Sequence, residues 1–173
     1  YAHSEVREHF LALVRELAQS YDFEVLELDF LRFPFYFDRN DIDRHCNTMT
    51  GFIREVRNIL DNTGRHIALI PRVASSPDVA RQLGFDVQAW ASEEIVDGVT
   101  AANFLATCWV LAIEDFRELV GPQIAVYAGT DVSADRREGL PVRYLPESHE
   151  MLHGFAAGNL AAGADGIHTF NFF

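Results

Sequence analysis

Two periodicities alternate along this chain, and that alternation limits its fold more than any other feature. Val6, Phe10, Leu13, Val14 and Leu17 recur at helical spacing behind Ser4, a residue suited to cap a helix. Glu24 to Phe30 then alternates polar and apolar residues as a strand does. A helix is expected from about Asp41 to Asn62, with Ile42, Cys46, Met49, Ile53, Val56 and Leu60 on one stripe and Gly64 as its stop. A strand follows over His66–Pro71. Ser76-Pro77-Asp78 then starts a helix that Gly84 ends, and Asp86 opens another through Trp90. Ile95–Thr100 reads as a strand, Phe104–Val120 as a long helix and Gln123–Ala128 as a strand. After a polar loop come a helix from about Glu147 to Ala162 and a strand over Asp165–Asn171. No internal repeat, low-complexity segment or linker is visible, so the 173 residues read as one domain or part of one.

Strands joined by helix-length crossovers run parallel, with helices on the outside. Either an open doubly wound sheet or a closed barrel satisfies that order. No G-x-G-x-x-G follows the first strand, which removes the main signature of a dinucleotide-binding sheet. A closed (β/α)8 barrel needs eight strands and about 250 residues. The expected fold is therefore α/β, a partial (β/α)8 TIM barrel over residues 1–173, the C-terminal portion with the N-terminal strands missing. Such a piece leaves strand edges and apolar surface open, so self-association is expected.

Composition excludes some partners. The chain has 26 Asp and Glu against 14 Lys and Arg, a net charge of −12, and offers no basic face for nucleic acid. No apolar run is long enough to span a membrane. Cys46 and Cys108 lack the spacing of a disulfide framework or a cysteine metal site. No signal peptide is visible; a periplasmic or secreted location is expected if the full-length chain carries one.

In a barrel the chemistry sits at the C-terminal strand ends. Glu27, Asp29 and Arg32 occupy that position after the first strand and Arg72 after the second. Thr100 and Asn103 follow the third strand, Tyr127, Thr130 and Asp131 the fourth, and Asn171 the fifth. Glu27 and Asp29 are two apart and leave the same strand face, opposite Leu26, Leu28 and Phe30, so both carboxylates should point inward. Inward carboxylates are costly unless paired or used, and Arg32 is the nearest partner in sequence. The alternative is an internal acid–arginine brace with no catalytic part. Phe33, Phe35, Tyr36, Phe37, Trp90 and Tyr127 lie in or near loops where rings can stack on sugars, although ordinary packing is expected to account for at least half of them.

Tyr1 to Arg7, and then Tyr21-Asp22-Phe23-Glu24-Val25-Leu26-Glu27-Leu28-Asp29-Phe30-Leu31-Arg32-Phe33-Pro34, resemble bacterial glycoside-hydrolase-like TIM-barrel proteins at their fourth strand. Ala161 to Ile167, with Phe170-Asn171, is similar to their last strand. The resemblance implies strands four to eight of that barrel and a carbohydrate substrate, with no cofactor. The same stretch is similar to the D-x-x-D-x-D-x-E of family 18 chitinases. Glu24, Glu27 and Asp29 fall on its aspartates, and Leu31 replaces its catalytic glutamate. Chitinase-type substrate-assisted hydrolysis is therefore not supported. Asp29 is expected as nucleophile or base, Asp131 or Glu27 as general acid, and Arg32, Arg72, Tyr127, Trp90 and Asn171 as substrate-positioning groups. Two carboxyl groups separated by about 5 Å would retain configuration, and about 6.5–9.5 Å would invert it.

Two other functions compete. Leu31 in place of the acid fits a non-catalytic carbohydrate-binding barrel. His149-Glu150-Met151-Leu152-His153 matches the H-E-x-x-H of zinc peptidases, in which two histidines one helical turn apart share a metal. Its third ligand is lacking at Asn159, and Asp165 is the only acid beyond Glu150. A phosphate-binding barrel would need glycine-rich loops after the last strands, and Gly129 alone supplies little.

Overall fold

The structure, a computed structural model, describes residues 1–31, 34, 36–37, 41–103, 106–131 and 148–171. Its elements run α1 (Ser4–Ser20), β1 (Val25–Asp29), α2 (Ile42–Asp61), β2 (Ala68–Val73), α3 (Pro77–Gln82), α4 (Val87–Ser92), β3 (Gly98–Ala101), α5 (Ile113–Val120), β4 (Ala125–Asp131), α6 (His149–Ala161) and β5 (Gly166–Phe170). The five strands lie in sequence order, each parallel to the next. A doubly wound sheet reverses its order part-way; this one does not. The alternation of the sequence thus becomes an arc of a (β/α) barrel, with a curled, open sheet.

Strand parity decides which residues make the core. Leu69, Val73, Val99, Ala101, Val126 and Ala128 leave the convex face and are fully buried. They pack with Met49, Ile53, Val56 and Leu60 of α2, Trp90 of α4 and Phe116 of α5. Four helix starts follow from local chemistry: Asp41, Ser76, Asp86 and Ser148 each accept a backbone N–H three residues on. Ser4 does not cap α1; the N-cap is His3, with no side-chain cap bond, and the Ser4 hydroxyl donates to Glu5 instead. The residues at helical spacing in α1 divide between two faces. Leu11, Val14 and Ala18 face the core, whereas Val6, Phe10, Leu13 and Leu17 stay exposed.

The long helix expected over Phe104–Val120 is shortened to α5, starting at Ile113. Thr107, Cys108, Trp109 and Val110 are weak helix formers, and other bonds hold this stretch. The buried Thr107 hydroxyl lies 2.6 Å from that of Thr130, donates to Asp131 O at 2.9 Å and accepts the Asp131 N–H at 3.0 Å. Ala112 N–H donates to Ser75 O at 2.9 Å. The segment is tied across the C-terminal end of β4 instead of coiling.

At the opposite pole the sheet is locked by one device used twice. Arg57 of α2 donates to Ile67 O and to Asp97 Oδ2, each at 3.0 Å, and Asp97 Oδ2 also accepts the Leu69 N–H at 2.7 Å. Arg117 of α5 donates to Ile124 O at 2.9 Å and to Asp165, whose Oδ2 accepts the Val126 N–H at 2.8 Å. Each aspartate returns the bond through its own backbone: Asp97 N–H to Leu69 O at 3.0 Å and Asp165 N–H to Val126 O at 2.8 Å. Two βα units therefore share an arginine–aspartate clamp that closes the base of β2 on β3 and of β4 on β5, a structural repeat that the sequence does not display.

Candidate active site

The concave face is assembled by parity. With Leu26 and Leu28 turned to the helices, Glu27 and Asp29 project from β1 to the other side. The same alternation on β5 brings His168 and Phe170 to that face. His168 Nε2 lies 2.9 Å from Glu27 Oε2. These two residues belong to the first and last strands of the order, four steps apart. In a flat sheet, at about 4.8 Å per step, their backbones would stand roughly 19 Å apart, beyond the reach of the two side chains. The contact is direct proof of curl: the sheet bends until its edges face one another, and side chains span the interior.

Asp29 lies one inward position nearer the C-terminal end. Arg72 Nη1 donates to both of its oxygens at 3.1 Å, and the Leu31 N–H donates to Oδ1 at 2.9 Å. Asp29 and Arg72 are register partners on β1 and β2. Arg72 is itself covered: its guanidinium sits 4.0 Å from the centre of the Phe170 ring and donates to Asn103 O at 3.3 Å. The Arg72 side chain is 3% exposed against 30% for Asp29. Arg72, expected to bind sugar directly, is instead the buried brace beneath Asp29, in the part assigned to Arg32. Arg32, with Phe33 and Phe35, lies outside the described residues.

Tyr127 occupies the same face on β4 and is flanked by glycines. A Cβ at Gly166 would lie 3.1 Å from its ring, and one at Gly98 would lie 3.4 Å away. Both neighbouring strands give up a side chain to admit that ring. Parity puts Asp131 on this face too, at the end of β4, where it is buried and is the register partner of Phe170. Asn171, just past β5, holds a φ of 60°, the left-handed region that asparagine tolerates better than most residues. Thr100 is buried on β3.

The proposed stacking aromatics fare unevenly. Trp90 is fully buried on the helix side, with its indole N–H donating to Thr50 Oγ1 at 3.0 Å, so no ring face is open to a sugar. Tyr36 joins Tyr1, Phe30 and Phe85 in an aromatic cluster and donates its hydroxyl to Phe30 O at 3.0 Å. Burial, and then the Asp29 charge, push that phenol up to about 12. Phe37 stacks on His45 at 4.4 Å. Packing claims these rings, while Tyr127 remains on the concave face.

The H-E-x-x-H segment forms the first turn and a half of α6, and His149, Glu150 and His153 are all exposed. Glu150 takes part in the helix start: its own backbone N–H and then Ser148 hold its carboxyl below the usual range. Among the described residues no cluster of three His, Cys, Asp or Glu side chains could hold a metal. His168 and Phe170 escaped the sequence reading, which looked only at the end of β5. Counting back from Asn171 by strand parity reaches Thr169 and Ile167, and Ile167 packs against the core on the other face.

No known family model matches the sequence, and none of the curated proteins does. Solved structures do. A chitinase from Chromobacterium violaceum ATCC 12472 superposes over 75% of this chain and 42% of its own, with a TM-score of 0.52 and 15% identity. The spore cortex-lytic enzyme SleL of Bacillus megaterium QM B1551 superposes over 93% of this chain and 37% of its own, with a TM-score of 0.54 and 17% identity. The chain shares the fold of these two proteins over the parts that superpose. It spans less than half the length of either of those two chains.

Proposed function

We propose that this chain is part of a carbohydrate-active hydrolase that cleaves O-glycosidic bonds of a poly- or oligosaccharide. One observation carries the reading: two carboxylates, Glu27 and Asp29, stand side by side on the concave face, each held by a nitrogen base from another strand. An inert barrel interior would be filled with apolar layers, because charges there cost free energy unless used or fully paired. Both acids are only partly covered, with side chains 30% exposed. The proposed roles keep Asp29 as nucleophile or base, steadied by Arg72, with Glu27 or Asp131 as the general acid. Tyr127 and Asn171 line the substrate path, and Arg32 is proposed as a further sugar-binding group. The fold shared with a chitinase and a spore cortex-lytic enzyme makes chitin and isolated spore cortex the first substrates to test.

Asp29→Asn decides the reading. Release of reducing ends from either substrate should fall at least 100-fold while the circular dichroism spectrum is unchanged; full activity in this variant overturns the assignment. A second reading has its own support. Leu31, at the position of the chitinase glutamate, is buried in the core and offers no acid. Saturable sugar binding without turnover by the unaltered chain would establish a non-catalytic carbohydrate-binding barrel. We also propose self-association through the open edges of the sheet.

A further inference from the structure

Resting on the reading above, we propose that His168 is a positioning residue of this site: its imidazole, delivered from β5, fixes the orientation of the Glu27 carboxylate across the concave face. The bond from Nε2 to Glu27 Oε2 is 2.9 Å. It joins strands that share no backbone pairing, since β5 pairs with β4 and β1 with β2. Backbone geometry therefore does not hold Glu27 against β5; this side-chain bond does.

The ring has few other restraints. Its Nδ1 is buried with no hydrogen-bond partner among the described residues. The Phe170 ring on the same strand lies 6.5 Å away and close to parallel. An imidazole usually has its second nitrogen anchored when the first serves a functional group. Among the described residues Glu27 is the one polar anchor of the ring, and the ring is the polar partner of Glu27. The two groups orient each other. Both remain partly exposed, His168 at 26% and Glu27 at 30%.

The wider pattern separates the two acids. Asp29 is held by Arg72, a cation at any working pH. Glu27 is held by the neighbouring imidazole of His168. Phe170 lies between the two bases, over the Arg72 guanidinium on one side and beside the His168 ring on the other. A single strand, β5, thus positions groups that control both carboxylates.

The test uses the full chain and has two independent arms. In the first, proton NMR of histidine-labelled protein should show an imidazole Nε2–H protected from solvent exchange and assigned to His168. Glu27→Ala should abolish its protection. An equally protected signal in that variant, or none in the unaltered chain, overturns the proposal whether or not any sugar is cleaved. The second arm uses whichever of chitin or spore cortex is hydrolysed. His168→Leu should lower kcat at least 10-fold with KM within twofold, and His168→Gln, which keeps a donor near the Nε2 position, should recover at least a third of the loss on a logarithmic scale. Equal kcat in His168→Leu and the unaltered chain, at equal melting temperature, overturns it. Failure of both substrates in the unaltered chain defeats the hydrolase reading and leaves the NMR result to decide the bond.

Discussion

Arg72 shows how far residue type alone carries an argument. Sequence placed it at a strand end and made it a sugar ligand; structure buries it under Phe170 and gives its charge to Asp29. The inward direction of Glu27 and Asp29 was legible because a strand has period two. The identity of their partners was not, because Arg72 and His168 are distant in the chain and approach only when the sheet curls. Removal of Arg72 should therefore harm both stability and site. Arg72→Ala loses the bond to a carboxylate that is partly solvated and the stacking on Phe170, together about 2–3 kcal/mol. Urea unfolding should show that loss, and an unchanged midpoint would contradict the bracing role. Gly129 makes a second prediction at this scale. A Cβ there would lie 2.6 Å from Ala102 Cβ and 3.2 Å from Ala101 O, groups that cannot rotate away. Gly129→Ala should cost about 1–3 kcal/mol by overpacking, read as a lowered melting temperature with the fold retained.

Elements were more legible than their ends. Caps and glycine stops are local, so α2, α3, α4 and α6 start where Asp41, Ser76, Asp86 and Ser148 put them. Strand ends moved by one to three residues toward the C-terminus in β2 to β4, because pairing with a neighbour sets them, and hydropathy does not report pairing. The paired clamps at the base were invisible for the same reason: Arg57 and Asp97 are 40 residues apart, and Arg117 and Asp165 are 48 apart. They make a prediction about acid stability. The Val126 N–H, with Arg117 beside it, holds the Asp165 carboxyl below its ordinary value of 3.8. A depressed folded value means that the ionised group stabilises the fold above the unfolded value, and that this contribution disappears as pH falls through the lower, folded one. Asp165→Asn should therefore be less stable than the unaltered chain at pH 6, and the gap should narrow steadily below about pH 4. A gap independent of pH between 6 and 2 would show that the clamp does not act through charge.

At the scale of the whole molecule, curl and incompleteness of the barrel surface act together. Glu27 and His168 bring the outer strands of the arc within bonding distance across its interior, yet among the described residues β1 and β5 each pair on one side only. Unpaired parallel edges offer backbone N–H and C=O groups to any strand that reaches them. Beside the β1 edge, α1 turns a second apolar stripe outward: Phe10, Leu13 and Leu17 are 40–42% exposed, and Val25 on β1 is 50% exposed. A helix with one apolar face against the core and another facing water has surface for a further contact. The sequence registered that stripe as helical, and helical period alone does not say which of two apolar stripes turns inward. From this surface we expect the 173-residue chain, studied on its own, to associate at micromolar concentration, with a sedimentation-average mass that rises with loading. Leu13→Glu with Leu17→Glu should shift it toward monomer while leaving the melting temperature within about 2 °C, since exposed substitutions usually change stability by less than about 0.5 kcal/mol. A monomeric mass for the unaltered chain at every concentration would refute association. A monomer obtained only together with a large fall in melting temperature would place Leu13 and Leu17 in the fold itself, and not on a contact surface.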